Sequence, residues 1–231
     1  VRIGVFAFRD CDTMRSVKDN PSKKRLYEYR VRRAYKSAGS RLLLISFQCS
    51  FCSITISCHS LRTASDRSVG QCLILGNSLT ETTMPKTFEN GKLISSSLKW
   101  WCSGFFPGTC WYSYMLSGNK DVYDLALAQT EKLLDVDSYY THHDIGFQIM
   151  CSAGLAYRNT ADEKYLPSIR RAAELLASRY SPVTGVIRSW DDPEYTYPVI
   201  IDNMMNLELL TFAAEKFGVP QWKEIAMSHA D

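Results

Sequence analysis

From about residue 105 onward the chain is a succession of helix-length apolar patterns separated by very short breaks. Gly104, Pro107 and Gly108 signal a helix start near Thr109, and Ser117-Gly118-Asn119 ends that helix. Val122, Leu125, Ala126, Ala128, Leu133 and Leu134 then form one apolar face, predicting a second helix. A third is predicted over about Ile145 to Arg158, with Phe147, Cys151, Leu155 and Tyr157 among its larger residues. Thr160-Ala161-Asp162-Glu163 reads as the capped start of a fourth, Glu163 to Arg179, in which Tyr165, Ile169, Ala172, Ala173 and Leu176 recur at helical spacing. After a break at Pro182 and Gly185, a fifth covers Asn203 to Phe217 and a sixth Gln221 to His229. Breaks this short make neighbouring helices antiparallel. The repeat of about 45 residues per helix pair fits helical repeats or an α/α toroid. Strand signals are nearly absent, and Pro85 to Lys92 reads as a turn.

The first part of the chain has a different texture. Residues 1–83 carry 14 Lys and Arg against 6 Asp and Glu, a balance of +8, whereas the remainder carries −5. Such a flip marks a boundary near Met84 between segments of different origin. The basic run Lys23 to Arg33 and the Ser- and Cys-rich stretch Leu42 to Leu61 show no sustained periodicity. Residues 1–83 are therefore unassigned, read as an extension without a fold or a gene-model artefact, and 84–231 as the folded domain. Starting at Val1 and stopping at Asp231 inside a helix end, the sequence reads as a fragment, with no signal-peptide pattern. No apolar run reaches the roughly 18 residues of a membrane span. Five cysteines fall in the first segment and three in the second, without the regular spacing of a disulfide framework.

Four constellations bear chemistry. At His142-His143-Asp144 an Asp at a loop-to-helix junction reads first as an N-cap; the paired histidines could bind a metal, but no second ligand cluster lies nearby in the sequence. Asp202 also precedes a helix, and with Asn203 and Asn206 it forms a polar cluster among Ile, Met and Leu that needs partners if buried. That cluster reads either as a cap or as the floor of a pocket. The aromatic-rich run Lys99 to Tyr112 reads as core packing or as a sugar-stacking surface, and Trp190 beside Asp191 and Asp192 belongs to the same argument. Cys49-x2-Cys52 with Cys58 and His59 resembles half a zinc site without its other half. No nucleotide, flavin or metal signature appears, so no cofactor is expected. The run Lys23 to Arg33 permits nucleic-acid binding, but no recognition fold accompanies it, and no nucleic-acid partner is expected.

Four runs together carry a family resemblance: WCSGFFPG (Trp101 to Gly108), HHDIGF (His142 to Phe147), GVIRSWD (Gly185 to Asp191) and PVIIDNMMNLELL (Pro198 to Leu210). In order and spacing they resemble the unsaturated glucuronyl hydrolases of glycoside hydrolase family 88, over about Met84 to Asp231. The resemblance implies an all-α fold, the (α/α)6 six-hairpin barrel. About half of it is expected here, because the family continues beyond His229-Ala230-Asp231 with a Ser-Ser-Tyr-His stretch this sequence lacks. It also implies a substrate: lyase-generated oligosaccharides bearing a 4,5-unsaturated uronic acid at the non-reducing end. The implied chemistry is hydration of a vinyl ether, not nucleophilic glycoside cleavage. A proton goes to ring carbon four and water adds at carbon five. The resulting hemiketal rearranges and releases the neighbouring sugar. Such a reaction needs a carboxylic acid whose conjugate base can then deprotonate water. By the resemblance Asp202 is that acid and base, and Asp144 is a second essential aspartate that orients the substrate or tunes Asp202. Trp101 contacts the unsaturated sugar, His143 lines the pocket, and Asn203 and Trp190 are further pocket residues. A related family acting on unsaturated rhamnogalacturonan disaccharides is the alternative enzyme reading. A non-catalytic half-barrel is the alternative outside enzymology.

Overall fold

The computed structural model describes residues 61–136 and 142–231. The expectations placed on Lys23 to Arg33, on the Ser- and Cys-rich stretch up to residue 60, and on Cys49, Cys52, Cys58 and His59 lie outside these residues. Arg62–Asp231 forms one compact unit. The shift in composition at Met84 and the structural boundary at Arg62 thus differ by one helix, α1 (residues 61–77), whose Val69 and Cys72 join the core.

Two strands follow, β1 (Thr83–Glu89) and β2 (Lys92–Ser97), paired antiparallel from Thr83↔Ser97 to Glu89↔Lys92. This corrects the reading of Pro85 to Lys92 as a bare turn. Asn90 and Gly91 both have positive φ, 49° and 75°, the conformation a two-residue hairpin turn requires and one that Asn-Gly supplies. The alternation that would have betrayed the strands is missing because β1 buries only Met84 fully.

Helices then run in hairpins. α2 (Phe105–Ser117) and α3 (Lys120–Glu131) are joined by two residues with divided labour. Gly118, at φ 67°, closes α2 by donating its N–H to the Tyr114 carbonyl, and the Asn119 side chain caps α3 by accepting from the Val122 N–H at 3.1 Å. α3 is rotated from its expected face: Ala128 is exposed, while Gln129 and Thr130 are buried. The cause is polar, since the indole Nε1 of fully buried Trp111 donates to Thr130 Oγ1 at 3.0 Å.

α4 comprises Ile145–Ile149, a π turn at Met150–Gly154 and Leu155–Thr160. Residues 145–150 and 152–156 are all buried, so it is enclosed on every side, as an inner helix must be. α5 (Leu166–Ser178) follows a 3-10 turn capped by Asp162. The stripe of Tyr165, which ends that turn, and Ile169, Ala172, Ala173 and Leu176 of α5 is wholly buried, as the periodicity predicts. A short hairpin, β3 (Tyr180–Ser181) with β4 (Val186–Ile187), leads to a long ordered loop and then to α6 (Asn203–Phe217) and α7 (Pro220–Ala230). No helix among the described residues is long and apolar enough to cross a membrane.

Candidate active site

The two aspartates occupy the N-cap positions of α4 and α6, yet neither side chain caps its helix. A capping residue keeps an extended backbone so that its carboxylate can turn back onto the first free N–H groups. Asn119 (ψ 127°) and Asp162 (ψ 116°) do so, and both accept a backbone hydrogen bond. Asp144 (φ −60°, ψ −12°) and Asp202 (φ −65°, ψ −15°) are already helical in backbone, which aims their carboxylates elsewhere. The capping reading of both residues is thereby overturned.

The carboxylates converge on His143. Its Nε2 lies 3.3 Å from Asp144 Oδ1 and 3.6 Å from Asp202 Oδ1, and the His143 side chain is only 1 % exposed. His142 Nδ1 pairs with the other oxygen of Asp144 at 2.7 Å. Asp202 is the more accessible carboxylate, its side chain 37 % exposed against 15 % for Asp144. Its neighbours along the chain are apolar and exposed: Ile200, Ile201, Met204 and Met205 at the start of α6. Burial pushes His143 below the ordinary histidine range, against the pull of Asp144 and Asp202, which favour the charged ring. Ligand atoms of His143, Asp144 and Asp202 lie within 4.8 Å of one another, a spacing that could hold a cation. The sequence offered no second ligand cluster for the histidines; the fold supplies one by bringing in Asp202.

A buried serine aligns the two helix starts. The carbonyl of Ser189 accepts from the His143 N–H at 2.8 Å, its N–H donates to the Pro198 carbonyl at 2.8 Å, and its Oγ accepts from the Ile200 N–H at 3.1 Å. Further along, Asn206 Oδ1 accepts from the Phe147 N–H at 2.9 Å, locking α6 onto α4. Asn203 is fully buried, and its Nδ2 donates to the Ile187 carbonyl at 2.8 Å. The Ile187 N–H donates to His229 Nδ1 at 2.9 Å. Ser189 and His229 escape sequence reasoning because their roles depend entirely on long-range contacts. Trp190 stands edge-on to His143, ring centroids 6.2 Å apart, and its Nε1 donates to Asp192 Oδ2. Trp101 is 44 % exposed and meets Phe147 of α4 edge-on at 6.1 Å.

Antiparallel helical hairpins packed in this way define part of an (α/α)6 barrel. No family model matches the chain. It is similar to unsaturated glucuronyl hydrolases and unsaturated chondroitin disaccharide hydrolases. The chain is 38 % identical over 134 residues to an unsaturated glucuronyl hydrolase from Formosa agariphila, a match covering 57 % of this chain and 34 % of that one. It is 30 % identical over 154 residues to the unsaturated chondroitin disaccharide hydrolase of Streptococcus agalactiae, covering 64 % and 38 %. Among solved structures, an unsaturated glucuronyl hydrolase specific for heparin superposes with a TM-score of 0.71 at 37 % identity, covering 74 % of this chain and 46 % of that one. The chain thus spans between a third and a half of the length of these relatives.

Proposed function

We propose that the protein releases 4,5-unsaturated uronic acid from the non-reducing end of lyase-generated oligosaccharides by hydrating the vinyl ether. One observation carries this reading: two aspartates at helix starts forgo capping and converge on one buried histidine, with Asp202 the more exposed carboxylate. In the proposed reaction the Asp202 carboxyl gives its proton to ring carbon four. The carboxylate left behind takes a proton from the water that adds at carbon five, so Asp202 ends as it began and one water is consumed. The hemiketal then opens and the neighbouring sugar leaves. Asp144, held by His142 and facing His143, orients the sugar and sets the field around Asp202. Trp101 and Trp190 offer ring faces to the sugar. The relatives' names support the glucuronyl substrate over a rhamnogalacturonyl one.

The test is loss of the ultraviolet absorbance of the conjugated enol-ether carboxylate in an unsaturated chondroitin disaccharide. Asp202→Asn keeps the shape and removes the proton, so it should slow that loss by about 10²-fold or more with an unchanged circular dichroism spectrum. A fully active Asp202→Asn protein would show that another group moves the proton.

A further inference from the structure

Among the described residues β4 has a single strand partner, β3, so its other edge has no ladder to join. At Ile187 that edge is nevertheless filled. The Ile187 N–H donates to His229 Nδ1 at 2.9 Å, and its carbonyl accepts from Asn203 Nδ2 at 2.8 Å. In an antiparallel ladder one opposite residue exchanges both of these bonds. Here two side chains divide the task, one from each helix of a hairpin. α6 and α7 are joined by Gly218 and Val219 alone, with Gly218 at φ 69° closing α6 and Pro220 opening α7. So tight a link returns the last turn of α7 to the first turn of α6. His229 thereby meets the same backbone residue as Asn203, the immediate neighbour of Asp202.

Residues 187–189 carry both halves of the aspartate site. Asn203 is tied to the Ile187 carbonyl, and Asp202 precedes it in the chain. Two residues on, the Ser189 carbonyl holds the His143 N–H and its Oγ holds the Ile200 N–H. The ladder between β3 and β4 is slight, pairing only Tyr180↔Ile187 and Ser181↔Val186. Ile187, Ser189 and Asn203 are all fully buried, so bulk water cannot replace a bond lost there. To accept the Ile187 N–H, His229 Nδ1 must carry a lone pair, which places the ring proton on Nε2. Burial and the His143 ring both hold His229 below the ordinary histidine range, in favour of that neutral form.

We infer that His229 is a positioning residue for the aspartate site. Through Ile187 it fixes the segment that holds Asn203, His143 and the start of α6, and so sets where Asp202 stands relative to Asp144. The inference rests on the hydrolase reading for the reaction it serves. His229 takes no proton from the sugar or the water; its bond is to backbone. Its effect is on placement, and a reacting group misplaced by about 1 Å costs about 10²-fold in rate.

Three substitutions in the full chain separate positioning from packing. His229→Asn keeps an acceptor oxygen near the place of Nδ1, whereas His229→Leu has similar bulk and no acceptor. Ser228→Ala removes a neighbouring clasp of α7 on the same hairpin without touching Ile187: Ser228 Oγ donates to the Gly185 carbonyl at 2.8 Å and lies 3.0 Å from the Tyr180 hydroxyl. Turnover is followed on the unsaturated chondroitin disaccharide. His229→Leu should lower kcat by about 10- to 100-fold, with KM within about threefold of the parent. His229→Asn should recover kcat to within about fivefold of the parent. Ser228→Ala should keep the parent kcat while lowering the melting midpoint. If His229→Leu does not fold, His229→Gln, whose carbonyl sits one bond further out, replaces it with the same expected loss. Parent kcat in the variant without a placed acceptor, an equal loss in His229→Asn, or an equal loss in Ser228→Ala would each overturn the inference. A parent chain that leaves the chromophore intact refutes the hydrolase reading instead, and placement is then read without turnover. The chain has four histidines, and their imidazole signals in proton–nitrogen spectra at fixed pH report on His143 directly. His229→Asn and His229→Leu both lack the ring, so the acceptor is what distinguishes them. His143 signals near the parent's in His229→Asn and displaced in His229→Leu uphold the positioning role; any other pattern overturns it.

Discussion

The two helices that present Asp144 and Asp202 cross at Gly146, and the closeness of that crossing makes a sharp prediction. A Cβ added at Gly146 would lie 2.6 Å from both Cα and Cβ of Asn206 and 2.5 Å from its Oδ1. Carbon contacts prefer roughly 3.5–4.0 Å, so α4 and α6 must part by about 1 Å. No flexible side chain can swing aside, since one obstacle is the Asn206 backbone itself. Overpacking of this kind costs about 1–3 kcal/mol. The buried bond from the Phe147 N–H to Asn206 Oδ1 is stretched as well, a loss of about 1 kcal/mol. Against this stands the better helix propensity of Ala, about 1 kcal/mol. With a backbone obstacle the clash falls in the upper part of its range, and Gly146→Ala should destabilise by about 2–3 kcal/mol. For a unit of this size that lowers the melting midpoint by about 5–10 °C, measured by circular dichroism on heating. Gly70 is the control: it lies within α1 with nothing within 4 Å of an added Cβ. Gly70→Ala should raise the midpoint slightly, by the propensity gain alone. If Gly146→Ala melts at or above the parent temperature, the crossing is not limited by that contact and the reasoning fails.

Acid should weaken the fold in a definite window. Burial holds His143 and His229 below the ordinary histidine value of 6.5, and His229 Nδ1 must stay unprotonated to accept the Ile187 N–H. The unfolded chain therefore binds protons first: this contribution is complete above about pH 6.5 and shrinks as pH falls below it toward the depressed folded values. Urea midpoints at pH 7.5 and 5.5 check the sign, and a midpoint that rises on acidification contradicts it. Gln148→Leu removes an amide donor shared by the Leu98 and Trp100 carbonyls, each of which keeps a second donor from Ser103, Oγ to Leu98 and N–H to Trp100. It should therefore cost only about 1–2 kcal/mol and shift tryptophan emission to the red; an unchanged emission maximum would mean that the backbone under Trp100 and Trp101 is held by something else.

The helices were legible wherever one face is apolar and the other is not. The α5 stripe and the limits of α6 could be read directly from spacing, because tertiary packing there agrees with local periodicity. β1 and β2 were not legible, since most of their side chains face solvent and no alternation survives; Asn90-Gly91 was the one signal available. Nor does spacing predict the π turn in α4, which depends on what packs around it. The site residues themselves were named from four short runs and a resemblance, yet their geometry was misread from local rules. Both aspartates look like caps in sequence, and only the backbone angles, which follow from the loops tied together by Ser189, show that they are not. Contacts such as Asn206 with Phe147, or His229 with Ile187, join residues 59 and 42 positions apart. Local pattern carries no trace of them.

Forgone capping has an energetic meaning. The chain caps α3 with Asn119 and the turn before α5 with Asp162, so capping chemistry is available to it at helix starts. Leaving α4 and α6 without a side-chain cap sacrifices about 1 kcal/mol at each. One unsatisfied atom lies at the same place: Asp202 Oδ1 is buried without a hydrogen-bond partner, 3.6 Å from His143 Nε2. Buried polar atoms normally find partners, and an exception marks where local consistency yields to function. A ligand hydroxyl or a water meeting this carboxylate would supply a donor that the fold withholds. Binding energy would then be gained at the carboxyl group to which the proposed reaction assigns the proton.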